Sequence, residues 1–128
     1  MLLVKTKLAP SKINGIGVFA AQKIPKGTIT WRFDPKFDRT FTPKEVSKLS
    51  KIQFDLINHC SYLSKKTNRY IYCMDDSRFT NHSNKPNMDN SKVLPGDLET
   101  CDIANRDIKA GEELTVDYRI IDVNEFEE

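Results

Sequence analysis

Only one stretch of this chain keeps a helical rhythm for several turns; the rest is short β-type runs cut by glycine, proline and asparagine. That pattern limits the fold more than any other feature. The helical stretch opens at Thr42-Pro43-Lys44-Glu45, where a capping hydroxyl precedes a proline at the first helical position. Val46, Leu49, Leu56, Ile57, Cys60 and Leu63 then recur at helical spacing, with Phe54 flanking them. A helical insert is therefore expected over 42–64, with that stripe in the core. Strands are expected at Leu2–Thr6, Ile16–Ala20, Thr28–Phe33, Tyr70–Met74, Leu98–Ala104 and Glu113–Tyr118. Ile24-Pro25-Lys26-Gly27 reads as a tight turn, since proline presets one φ and glycine relieves another. Residues 33–41, with Pro35 and scattered charge, and 82–97, rich in asparagine with Pro86, Pro95 and Gly96, read as loops. The expected class is mostly β, with one inserted helix.

A short internal echo accompanies this pattern. Ala20-x-x-x-Ile24-x-x-Gly27 repeats the spacing of Ala104-x-x-x-Ile108-x-x-Gly111, each followed by a β-type segment. Two similar β-units are expected to face each other.

At 128 residues the chain suffices for one domain with its own core. The longest apolar run, Ile16 to Ala21, falls far short of the ~20 residues that cross a bilayer. No membrane role is expected, and Lys5 and Lys7 interrupt the opening before it resembles a secretory leader. Cys60, Cys73 and Cys101 are odd in number and not closely spaced, which suits inert thiols in a reducing, intracellular compartment. His59 and Cys60 are adjacent and cannot easily face one ion, so no metal is expected.

Charge is distributed unevenly behind a net +2. Residues 1–31 hold five lysines and no acid, whereas residues 97–128 hold three cationic against eleven acidic side chains. The basic front lacks an aromatic-and-basic stripe, so its lysines read as a solvated face and nucleic acid is not expected as the primary ligand. The acidic end would attract a basic, lysine-rich partner, less so as salt rises.

Three segments carry chemistry. Asn14-Gly15-Ile16-Gly17-Val18-Phe19-Ala20 permits a tight turn or close backbone approach to a ligand, and alone means no more than a turn. Arg78-Phe79-Thr80-Asn81-His82-Ser83-Asn84-Lys85-Pro86-Asn87 is dense in hydrogen-bonding groups that, once buried, must be satisfied. Gly111-Glu112-Glu113-Leu114-Thr115-Val116-Asp117-Tyr118 ends a strand in a phenol. In this order and spacing the three resemble the SET-domain protein-lysine methyltransferases, over roughly residues 3–118.

That resemblance implies a β-clip fold in which the C-terminal segment threads past the Asn-His-Ser loop as a pseudoknot. It implies S-adenosylmethionine as cofactor, S-adenosylhomocysteine as product, and a basic protein or peptide carrying the target lysine as partner. Carried over, Gly15, Ile16 and Gly17 would meet the cofactor through backbone, with Arg78, Asn81 and His82 beside it. Tyr118 falls on the catalytic tyrosine and Tyr62 on a channel tyrosine, with Tyr72 and Val116 as further channel positions. The domain would span 1–118. The short tail 119–128 would stand in for the cysteine-rich closing segment of many members, with Phe126 covering the cofactor's adenine or the lysine. Val116 stands where an aromatic is common, which leaves the number of methyl groups open. A second copy completing the substrate site stays open too, as does a non-catalytic SET-fold module that binds basic peptides.

Overall fold

The computed structural model describes residues 1–123. β1 (Thr6–Pro10) and β2 (Ile16–Ala20) form a hairpin, Thr6 opposite Ala20 and Pro10 opposite Ile16. β3 (Ile29–Trp31) and β4 (Asp38–Phe41) lead into helices α1 (Pro43–Ser47) and α2 (Lys51–Cys60). Then come β5 (Ser61–Leu63), β6 (Tyr70–Cys73), a 3₁₀ turn at Asp76–Phe79 and β7 (Asn81–His82). β8 (Met88–Val93), β9 (Thr100–Ala104), β10 (Thr115–Val116) and the single turn α3 (Tyr118–Ile121) complete the order. The strands group as β1-β2, β3-β9-β8, β4-β6-β5 and a parallel pair β10-β7. Strand outweighs helix, as the punctuation of the sequence requires.

The parallel pair is where the chain threads. Thr115 lies opposite Asn81 and Val116 opposite His82, and the Ser83 N–H donates to the Val116 carbonyl at 3.0 Å. On the segment's other flank the Leu114 N–H donates to the Val18 carbonyl at 2.8 Å. Buried Asn87 donates to the Glu113 carbonyl (2.8 Å) and accepts from the Thr115 N–H (2.9 Å), while Asn90 donates to the Asp117 carbonyl (3.1 Å). Two strand residues cannot anchor a crossing alone, so these side-chain amides supply the missing ladder.

The internal echo becomes a two-fold clasp. Ile24 and Ile108 exchange backbone hydrogen bonds at 2.9 and 2.8 Å. Gly27 N–H donates to Ala104 and Gly111 N–H to Ala20, both at 2.8 Å, and the Ala20 and Ala104 N–H groups donate to Glu112 and Thr28. Each bond in one unit has its counterpart in the other. Both glycines sit at positive φ, +89° and +93°, which turns each chain back toward its partner at little cost. Val18, Ala20, Ile24, Met88, Ala104, Ile108, Leu114 and Val116 form the core between the units. A smaller cluster of Trp31, Ile71 and Cys73 packs with Leu2, Phe33 and Tyr62.

Several expectations are corrected. The first strand lies at Thr6–Pro10 rather than Leu2–Thr6, because the turn at Ser11–Gly15, with Gly15 at φ +47°, sets the hairpin register; Leu2 instead bridges to Trp31. The 33–41 region is not all loop: Asp38–Phe41 pairs with β6 once the Asp38 carboxylate has fixed the turn by accepting from the Asp34 N–H (2.8 Å). The 42–64 insert is two helices and a strand. Ser50 caps the second helix and Gln53 closes the box, so the chain restarts there instead of continuing. The proposed apolar stripe splits accordingly: Val46 and Ile57 are buried, but Leu56 is 54% exposed. The 82–97 loop contains β8, whose Asn90, with Asn87 just before the strand, faces the crossing segment instead of solvent. Glu113–Tyr118 keeps only two strand residues, since Asp117 caps the turn that starts at Tyr118.

Candidate active site

One cavity of about 650 Å³ opens beside the crossing. α2 contributes Asp55, Asn58, His59 and Cys60; β5 and β6 contribute Ser61, Tyr62, Ile71 and Cys73. Ser77, Arg78 and Thr80 line it from the 3₁₀ turn onward, Asn14 from the hairpin turn, and Val116, Tyr118, Ile121 and Asp122 from the C-terminal segment. Trp31, Thr100 and Asp102 form its remaining wall, on β3 and β9. The volume is that of a site for a cofactor-sized ligand.

Tyr118 is placed by three contacts. Its hydroxyl donates to the Thr80 carbonyl, its N–H donates to His82 Nδ1 at 3.0 Å, and its ring lies 5.4 Å from the His82 ring. Burial, followed by the charges of Asp122 and Glu113, pushes the Tyr118 phenol up to about 12. Tyr62 is also raised, first by burial and then by Glu99, Cys73, Asp102 and Asp38. Both phenols are protonated donors at neutral pH.

Of the predicted positions, Arg78, Tyr62, Val116 and Tyr118 share this cavity. Arg78 also sits over the Phe79 ring, 4.8 Å from its centre. Gly15, Ile16, Gly17, Asn81 and His82 brace the wall instead of lining it. The Asn81 amide donates to the carbonyls of Asn14 (3.1 Å) and Ile16 (3.3 Å) and to Glu113 Oε2 (2.9 Å). Tyr72 is not brought in: it alternates with Ile71 and Cys73 on β6, so its side chain leaves by the other face. Phe126 lies outside the described residues.

Sequence reasoning missed Glu113. Its carboxylate accepts from Ser11 Oγ at 2.7 and 2.9 Å as well as from Asn81, tying three distant segments together. A β-carbon on Gly17 would meet Glu113 Oε2 at 2.3 Å, so that glycine is required by a carboxylate as well as by a turn. The Asn14–Gly17 and Gly111–Tyr118 motifs held both halves of this contact, but no spacing rule pairs them. Asp102 and Trp31 were missed as well, because β9 and β3 carry no motif.

The lining could hold a cofactor such as S-adenosylmethionine: the Arg78 guanidinium could meet a carboxylate, and the half-buried Tyr62 and Tyr118 bring hydroxyls to the same cavity.

A β-clip whose last strand is threaded beside an Asn-His-Ser loop, with a cavity lined by a half-buried phenol, defines a class of small domains built around one crossing. The family description "SET domain" matches residues 15–119, and the chain belongs to that family. It is 31% identical over 125 residues to the histone-lysine N-methyltransferase trr of Drosophila melanogaster, spanning 88% of this chain and 5% of that protein. It is 28% identical over 123 residues to an H3 lysine-36 specific histone-lysine N-methyltransferase of Mycosarcoma maydis, spanning 91% of this chain and 12% of that protein. The chain thus corresponds to a small part of either relative. A humanized mutant of the Chaetomium thermophilum Polycomb Repressive Complex 2 shares the fold, with a TM-score of 0.68 at 22% identity over 94% of this chain and 16% of that one.

Proposed function

We propose that this chain transfers a methyl group from S-adenosylmethionine to the side-chain amine of a lysine in a protein substrate, leaving S-adenosylhomocysteine. The observation that carries the reading is the shared cavity of Arg78, Tyr62 and Tyr118, walled by the Asn14 turn and the crossing. When bound, the cofactor supplies an electrophilic methyl carbon on a sulfonium. Arg78 would pair with its carboxylate, while Asn81 and His82 keep the Asn14–Gly17 edge and Tyr118 in place.

Only an unprotonated amine has the lone pair for an in-line displacement, and free lysine, with pKa near 10.4, is mostly charged at neutral pH. A channel at Tyr62, Ile71 and Val116, emptied of water by the entering side chain, would disfavour the ammonium. Tyr118 and Tyr62 would orient the nitrogen, and fixing two reactants in line lowers the barrier by several kcal/mol or more. Ile121 and Asp122 already line the rim, held where the Lys65 N–H donates to the Ile121 carbonyl and the Val123 N–H to Leu63 (both 2.8–2.9 Å). Residues 119–123 would therefore border the cavity beside the cofactor, completing a domain that spans 1–118. A lysine within a basic tract, as on the histones named for its relatives, suits the acidic C-terminal quarter.

Incubation with labelled S-adenosylmethionine and a lysine-rich histone-tail peptide tests this. Label on the peptide, lost by at least about 100-fold in Tyr118→Phe with cofactor binding retained by calorimetry, is the expected result. A chain that neither binds the cofactor nor labels any basic peptide is a binding module instead.

A further inference from the structure

Methyl transfer as described above leaves one wall of the cavity without a task. Trp31, Cys73, Thr100 and Asp102 line it, with Tyr62 beside them. Three carboxylates face the cavity. Asp55 is paired with Lys51 at 3.2 Å, and Asp122 has interactions of its own at the rim. Asp102 is the remaining one: half-buried on the cavity wall, it acts on the Tyr62 phenol through its charge. Glu99, the neighbouring acid, is by contrast committed to Thr100 (2.9 and 3.2 Å) and Thr67 (3.4 Å). A second observation marks the same wall as polar: Trp31, the cross-strand partner of Asp102, is 4% exposed, and its indole N–H has no partner among the described residues.

We propose that the Asp102 carboxylate accepts the proton that the target lysine ammonium must lose before methyl transfer. The inference rests on the methyltransferase reading. The step balances simply: the ammonium N–H bond breaks, the proton joins a carboxylate oxygen, and a neutral amine faces a neutral acid. Once the substrate side chain shields the pair from water, that exchange would be favoured, because both charges vanish together. The surroundings agree. Burial pushes the Asp102 carboxyl up to about 7; the Met1 ammonium opposes this, and Asp89 and Glu99 add to it. Of the other titratable groups around it, the Tyr62 phenol is raised well above its ordinary value and the thiols of Cys73 and Cys101 are raised too, so near neutrality these three stay neutral. A base poised near the working pH is the effective kind.

Single-turnover transfer from labelled S-adenosylmethionine to a lysine-rich peptide, followed from pH 6 to 10, tests the assignment. Wild type is expected to rise through an acid limb near pH 7 and then level off. Asp102→Asn is expected to be slower at pH 7 by about 100-fold or more, and to recover roughly tenfold per pH unit as free amine accumulates. Asp102→Asn with the wild-type profile overturns the proposal, and so does a loss equal at every pH, which would mark a structural role. Should Asp102→Asn fail to fold, the wild-type profile decides alone: a rate still climbing tenfold per unit beyond pH 8 overturns it. Wild type that labels no peptide at any pH overturns the methyltransferase reading itself, whereas labelling with an unaltered variant removes only Asp102.

Discussion

Gly17 and Glu113 show how closely single residues are matched here. The Glu113 carboxylate is gripped by Ser11 and Asn81, so it cannot swing away from a new methyl without losing those bonds. Gly17→Ala should therefore cost about 1–3 kcal/mol, read as a lower urea midpoint. At the Gly15 position a β-carbon meets nothing within 4 Å, and Gly15→Ala should cost only the strain of φ +47°, about 1 kcal/mol. Asp102 sets a pH dependence whose sign follows from its upward shift. Between its ordinary value of 3.8 and about 7 the folded chain holds a proton that the unfolded chain has released, so stability falls as pH rises through that window. Asp102→Asn should melt at a higher temperature than wild type at pH 8, and the difference should vanish by pH 4. The thiols divide in the same physical way. Burial raises Cys73 to about 12 and raises Cys101 also, whereas Cys60 is partly exposed on the cavity wall. Maleimide should label the native protein once, at Cys60, and bound cofactor should slow that labelling.

At the level of elements, legibility depended on whether a segment's conformation was decided locally. The Thr42 cap, the turn near Pro25 and strand β2 were readable because capping hydroxyls, prolines and alternation act within a few residues. The break at Ser50 was equally local, a Ser-x-x-Gln box hidden by an apolar rhythm that ran through it. Ser50→Ala should lower stability by about 1 kcal/mol in chemical denaturation, and Thr42→Ala by a similar amount. β4 was not legible, since it exists by pairing with the distant β6, and β8, though paired with the adjacent β9, was hidden because its Asn90 holds the crossing instead of marking a loop. For the site, the residues of the three motifs were legible as a set through resemblance. Their division between cavity lining and brace was not, because it turns on which side of a crossing each side chain leaves.

For the whole molecule, the uneven charge has a direct consequence. Three cations against eleven acids over 97–128 should draw in a basic peptide, and raising salt from 50 to 500 mM should raise KM severalfold while changing kcat little. The reciprocal bonds of Ile24 with Ile108, and of Gly27 and Gly111 with Ala104 and Ala20, join an early segment to a late one. Most of the core lies between those segments, so folding waits on contacts far apart along the chain and should be slow for its size. The same clasp bears on what happens if the backbone is cut. Pro95 and Gly96 are exposed on the link between β8 and β9, away from every bond in the clasp. A protease that nicks the chain there would leave two fragments still buttoned to each other, eluting together as one particle until denaturant parts them.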